Sequence, residues 1–205
     1  MKESKLRRAL TALIDVIWAG LLWLLCSLPL VTLGASSAAL YYGIVKCVRH
    51  ERGRLTSSFF RAFRENFRTA TLLWLLCLGW LLIGLGDLRA FQLMGVREGG
   101  VLYYVSRLFF LPLPLLLPWL FAFVSRFQNT VFGSLKYTVY LAMRHVAVTL
   151  LLALELAAFV LIVWMIPALL PLLPGVFCLL MSFSIEPVFH TLTTDQTGVD
   201  PWYNE

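Results

Sequence analysis

Six stretches of the chain are apolar and approach the length of about 20 residues that a helix needs to cross a bilayer. They run from Ala9 to Leu30, Ala35 to Val48, Ala70 to Gly86, Val101 to Val124, Val146 to Ile166 and Leu170 to Phe189. The pattern predicts an all-α, polytopic transmembrane helical bundle of six spans, forming a single integral membrane domain over residues 1–205. Five spans are the fallback, because the second stretch is the shortest and reads as tilted or partly re-entrant. Asp15 interrupts the first stretch; the polar loop RAFQLMGVREGG separates the third from the fourth, and PALLPLLPG the last two.

Two further stretches alternate at helical period without being apolar enough to span. In LTSSFFRAFRENFR, Phe59, Phe60, Phe63 and Phe67 share an arc of about 100°, with Arg61, Arg64, Glu65 and Arg68 opposite. Ser57 or Ser58 is placed to cap its start. Such a helix is expected to lie in the membrane interface, phenylalanines down and arginines toward lipid phosphates or a protein partner. In FQNTVFGSLKYTVYLAMRH a weaker stripe places Val131, Leu135, Val139 and Ala142 on one side, and Asn129, Lys136 and Arg144 on another. Phe59, Arg61, Phe63, Arg64, Phe67, Arg68, Lys136 and Arg144 are therefore the candidate lipid or partner contacts. Offset by 80 residues, AFRENFRTATLL and AMRHVAVTLLLA share Ala-x-Arg and a threonine, which raises a thinly supported internal repeat.

Composition agrees with the membrane reading: 60% of the 205 residues are hydrophobic and 14% charged, against about 25% charged in a soluble domain, and the mean hydropathy is +0.82. The formal net charge of +6 comes from bases beside apolar runs. No nucleic-acid fingerprint accompanies them, so nucleic acid is not an expected partner, and the bilayer with its anionic headgroups is. With the N-terminus in the cytoplasm, segments 1–9, 46–69 and 126–145 hold 14 of the 17 basic residues, leaving Arg89, Arg97 and Arg107 outside. This predicts a multi-pass protein of a bacterial cytoplasmic membrane with both termini cytoplasmic. The start resembles a signal peptide, but the apolar stretch is too long for one and reads as a retained first span. The acidic tail TTDQTGVDPWYNE reads as flexible.

Chemistry in such a chain is sought first among ionisable residues at depth, where charge is costly unless paired, wet or neutral. Glu155 sits mid-span in LLALELAAF; it is either a transport carboxylate or a neutral acid bonded to a neighbouring helix. Asp15 and Glu186, near the cytoplasmic ends of their helices, are expected to meet arginines of the 57–68 helix, and Asp87 is placed to pair with Arg107 on the other side. These five are the candidate intramembrane polar site. Cys26, Cys47, Cys77 and Cys178 fall singly in different runs and read as small apolar side chains rather than metal ligands or disulfides.

The stretch SLPLVTLGASSAALYYG, with Gly34-Ala35-Ser36-Ser37, has the serine-at-a-helix-start look of rhomboid-type proteases. A nucleophilic serine needs a general base within hydrogen-bond reach. The predicted topology sets Gly34 near the outer face and His50, His145 and His190 at cytoplasmic ends. The simpler reading has Pro29 ending one helix, Gly34 supplying a tight turn, and Ser36 or Ser37 capping the next. No phosphate-binding glycine loop, H-E-x-x-H or paired acidic motif is present, nor the cytoplasmic E-A-A-x-x-x-G segment by which importer permeases dock their ATPase. No catalytic, cofactor or metal residue is assigned.

The order of WLLCSLPLVTLGASSAALYYGIVKCVRHERG, FFRAFRENFRTATLL, NTVFGSLKYTVYLAMRH and LPGVFCLLMSFSIEPVFH resembles the YesL-like family of bacterial integral membrane proteins, a domain of unknown function. One departure is that the family often has Asn-x-x-Trp in its first helix, where this chain has Gly20 before Leu21, Leu22 and Trp23. The resemblance implies a context, since genes of this family are often found beside carbohydrate ABC importers and sensor kinases. The expected function is a non-enzymatic accessory protein contacting importer subunits or itself. The alternatives are a small transporter or channel using Glu155, and a membrane sensor coupled to a kinase.

Overall fold

The computed structural model describes residues 2–94 and 100–197. The side chains of Lys2, Lys5, Arg7 and Arg8, all of Arg97, and the tail beyond 197 lie outside the described residues. The described chain forms helices α1 (Lys2–Ser27), α2 (Leu33–Gly43), α3 (Leu55–Leu93), α4 (Val101–Phe110), α5 (Pro112–Arg126), α6 (Val131–Arg144), α7 (Val146–Met165) and α8 (Leu173–Thr197), with no strand among the described residues. Among the described residues six helical segments are long and apolar enough to cross a membrane, and this is a multi-pass membrane protein. The fourth apolar run is one path of 24 residues, Tyr103–Arg126, bent where Pro112 follows α4. Of the C-terminal stretch, residues 193–197 continue α8.

The second run, the shortest in the sequence, is the most enclosed: 67% of the Leu30–Arg49 span is buried, against 11% of Val146–Met165. Its residues 34–39 are all small, and small side chains let helix backbones approach in a solvent that gives apolar groups no reason to hide. Ahead of it α1 ends at Ser27, and a single 3₁₀ turn, Leu30–Thr32, follows Pro29. Thr32 Oγ1 closes that turn by donating to the carbonyls of Cys26, at 2.5 Å, and Pro29, at 2.8 Å. Gly34 therefore makes no turn. It lies inside α2, where a Cβ would stand 2.5 Å from both the Ala70 carbonyl oxygen and Trp74 Cβ. Past Gly43 the helix widens into a π-helix over Ile44–Arg49, a form that tends to occur at functional sites.

α3 corrects the sequence reading most. The stretch 57–68 is no separate interfacial helix; it is the first part of one 39-residue helix that reaches about 58 Å at 1.5 Å per residue. Leu55, Phe59, Ala62, Asn66, Ala70 and Leu73 are all buried, and they recur at the spacing of one helix face. That face runs antiparallel to α2, with Gly43 against Leu55 and Phe59 and Gly34 against Ala70 and Trp74. Gly34 and Ala70, which the sequence assigns to opposite membrane faces, are therefore at one depth. Hydropathy locates apolar side chains but carries no register between neighbours, and the arginines on the far side of α3 drew the boundary too late.

The second half of α3 pairs with α4 through Trp80 stacked on Phe109, 4.9 Å between centroids, and Phe91 beside Tyr103 at 6.5 Å. α6 begins where Thr130 Oγ1 accepts from the Gly133 backbone N–H at 3.2 Å. Its buried residues are Ser134, Thr138, Leu141 and Ala142. Of the predicted stripe Ala142 belongs to that face, and Val131 is half-buried against the cluster of Ala35, Ala38 and Ala70. The proposed 80-residue repeat fails as structure, because residues 62–73 are mid-helix in α3, whereas 142–153 straddle the break at His145 between α6 and α7.

Candidate functional site

The polar groups converge where α2, α5 and α8 meet. α8 carries Glu186 into the core, where Arg126, the last residue of α5, donates from Nη1 to Oε2 at 2.5 Å. On the other carboxylate oxygen, Tyr41 of α2 donates its hydroxyl to Oε1 at 3.1 Å. The guanidinium also lies 5.5 Å from the Phe189 ring centroid and 5.8 Å from that of Phe127, so aromatic faces take part of the charge. Glu186 does find an arginine, but on α5 rather than on the 57–68 stretch.

The π-helical end of α2 builds the rim. Arg49 donates to the Ser182 carbonyl and, at 3.2 Å, to its hydroxyl, and its guanidinium lies 4.9 Å from the Phe183 ring centroid. Lys46 and Arg61 both donate to the Tyr42 hydroxyl, at 3.1 and 2.8 Å, and Arg61 also pairs with Glu65 at 3.7 Å. His50 follows, its imidazole held below the ordinary value by burial and then by the Arg49 charge. This end of the bundle is electropositive around one carboxylate whose two oxygens are both engaged.

The remaining predicted residues are not brought together with it. Asp15 makes no ion pair among the described residues; it lines a cleft of about 320 Å³ with Cys47, Glu51 and Gly53. Asp87 accepts from the Ser106 hydroxyl and not from Arg107, whose guanidinium instead stands 4.7 Å from the Tyr103 ring centroid. Glu155 is half-buried on α7, with Oε2 sealed and accepting no hydrogen bond. Phe59, expected to face lipid or a partner, is a core residue with no exposed surface. Phe63 is half-buried between it and Phe67. Arg64, Phe67, Arg68, Lys136 and Arg144 are exposed, and Arg144 donates to its neighbour Tyr140 at 2.5 Å.

Sequence reasoning passed over Arg126, Tyr41, Tyr42, Lys46, Arg49 and Ser182. Arg126 and Lys46 were counted as cytoplasmic charge. The one local signal available was the spacing of Tyr42 and Lys46, four residues apart and so adjacent on a helix.

Ser36 is fully buried, and its hydroxyl is 2.6 Å from that of Ser27 and donates to the Leu33 carbonyl at 3.0 Å. Ser37 accepts from Trp23 Nε1 at 3.1 Å. Neither caps α2. His50 stands at the far end of the same helical path, about 21 Å away at 1.5 Å per residue, so it offers Ser36 no base. Ser36→Ala is expected to leave function intact and to cost about 1 kcal/mol for a lost buried hydrogen bond, read as a small drop in melting temperature. A folded variant without function would reinstate the nucleophile.

Residues 16–88 match the family model described as "Protein of unknown function, DUF624", the family of which YesL-like proteins are members. No curated protein and no solved structure matches the chain.

Proposed function

We propose that this DUF624-type chain is a non-enzymatic accessory protein of the bacterial cytoplasmic membrane, with both termini cytoplasmic, that binds the membrane subunits of a carbohydrate ABC importer. The importer enters through the context that the YesL resemblance implies. The observation that carries an interaction role is the contrast between the two sets of charges at the basic end. Glu186 is saturated by Arg126 and Tyr41 within the chain, whereas Arg64, Arg68 and Lys136 stay exposed on α3 and α6. Beside them Phe60, Phe132, Tyr137 and Met143 are exposed too. Aromatic and methionine side chains next to cations suit a protein contact better than a solvated face.

Transport at Glu155 is the weaker reading, because among the described residues its buried Oε2 accepts no hydrogen bond and it sits on the least buried span. The two separate experimentally. Tagged full-length protein from native membranes is expected to carry importer membrane subunits with it. Reversing Arg64, Arg68 and Lys136 together to glutamate should reduce that recovery at least tenfold, and Glu155→Gln should leave it unchanged. Recovery of the protein alone under every sugar condition sinks the accessory reading, and loss of proton-linked sugar uptake in Glu155→Gln would restore the transporter.

A further inference from the structure

The cleft between the second half of α3 and the α4–α5 path is apolar almost throughout, yet it contains a cation. Its volume is about 340 Å³, and its walls include Trp74, Leu81, Leu85, Phe110 and Leu117, with Arg107 at the end opposite Trp74. Nη2 of Arg107 is buried and has no hydrogen-bond partner. Asp87, the carboxylate that the sequence offers it, accepts from Ser106 instead, and among the described residues the guanidinium lies over the Tyr103 ring face, 4.7 Å from its centroid. A buried guanidinium nitrogen left without an acceptor is costly, and a charge inside a span marks a functional site by default.

Trp74 and Leu117 at its far end also line a second apolar cavity of about 200 Å³, bounded by Trp23, Tyr41, Phe159 and Met181. An occupant that completes both features needs an anionic head and a long hydrocarbon body. Arg107 is four residues inside the Tyr103–Arg126 span, about 6 Å from its end at 1.5 Å per residue, a distance over which an arginine side chain reaches the headgroup layer. It lies at the opposite end of that span from Arg126 and the basic cluster.

We propose that this cleft binds an anionic glycerophospholipid of the bilayer, with its phosphate held by Arg107 and one acyl chain laid along α3 toward Trp74 and Leu117. Guanidinium suits the task because its planar fork takes two phosphate oxygens at once. A protein carboxylate would satisfy Arg107 but leave the hydrocarbon space open, and an alkyl chain alone would leave the charge bare. The site is independent of the importer reading.

Native mass spectrometry of the full chain in a mild nonionic detergent tests this, with dioleoylphosphatidylglycerol and dioleoylphosphatidylcholine as probes. The wild type is expected to retain one phosphatidylglycerol about tenfold more strongly, as a charge-assisted contact implies. Arg107→Gln should equalise the two lipids without changing the melting temperature, and Arg107→Lys should keep part of the preference. Arg52→Gln, at an exposed arginine away from the cleft, should keep all of it. Leu85→Trp, which crowds the hydrocarbon wall with Arg107 intact, should lower retention, and decides the matter should Arg107→Gln fail to fold. No preference in the wild type, an undiminished preference in Arg107→Gln, or undiminished retention in Leu85→Trp overturns the proposal. So does a wild-type dimer without lipid selectivity, which would assign the cleft to a second copy.

Discussion

Glu186→Ala is expected to lower the unfolding free energy by about 3–5 kcal/mol, because it removes the charge partner of a guanidinium held away from water. The Arg126 and Glu186 side chains are 1% and 3% exposed, and neither can recover hydration without opening the contact between α5 and α8. Arg126→Met should cost a similar amount for the converse reason. The double variant Arg126→Met/Glu186→Met is expected to regain most of the loss, since replacing both charges by apolar groups removes the desolvation cost along with the attraction. Tyr41→Phe should cost about 1.5–3 kcal/mol, the range for a hydrogen bond to a charged group. Denaturant titration in mixed micelles, followed by tryptophan fluorescence, measures all four. Should Glu186→Ala cost under about 1 kcal/mol, or the double variant be worse than either single one, the pair does not hold the bundle together.

The spans were legible because hydropathy alone marks them, and the runs from Val146 and from Leu170 differ from the spans Val146–Met165 and Leu173–Leu192 by at most three residues at either end. The faces were misread, and in one direction. On α3 the sequence followed Phe59, Phe60, Phe63 and Phe67, but the buried residues Leu55, Phe59, Ala62, Asn66, Ala70 and Leu73 are centred roughly 80° away at 100° per residue. On α6 it followed Val131, Leu135, Val139 and Ala142, whereas Ser134, Thr138 and Leu141 are inside together with Ala142, a turn of about 70°. In both helices large apolar side chains stood in for the core. That substitution is sound in water but fails in lipid, where large residues can face acyl chains at no cost and small or hydroxylated ones mediate helix contact. The charge cluster was hidden for another reason: Arg126 and Glu186 are 60 residues apart, and nothing local distinguishes a helix-end arginine facing water from one turned inward.

The glycines carry the same lesson into a sharper test, because three of them sit where helix backbones touch. A Cβ on Gly20 of α1 would lie 1.8 Å from the Pro171 carbonyl oxygen, one on Gly175 of α8 2.6 Å from that of Val16, and one on Gly34 2.5 Å from that of Ala70. Each obstacle is backbone, so no rotamer change relieves it and the helices must separate. Gly20→Ala, Gly34→Ala and Gly175→Ala are each expected to cost at least the 1–3 kcal/mol typical of overpacking, with Gly20→Ala the worst and Gly34→Leu unfolded. Gly79 and Gly86 meet nothing within 4 Å, and alanine at either should instead stabilise α3 by about 0.5–1 kcal/mol through helix propensity. The sign change within one residue type separates helix contact from propensity, and a neutral Gly20→Ala would refute the close approach of α1 to the segment before α8. An asparagine at position 20 would likewise drive its Cβ into the Pro171 carbonyl, so Gly20→Asn is expected to be tolerated only together with a change in the turn over 167–172.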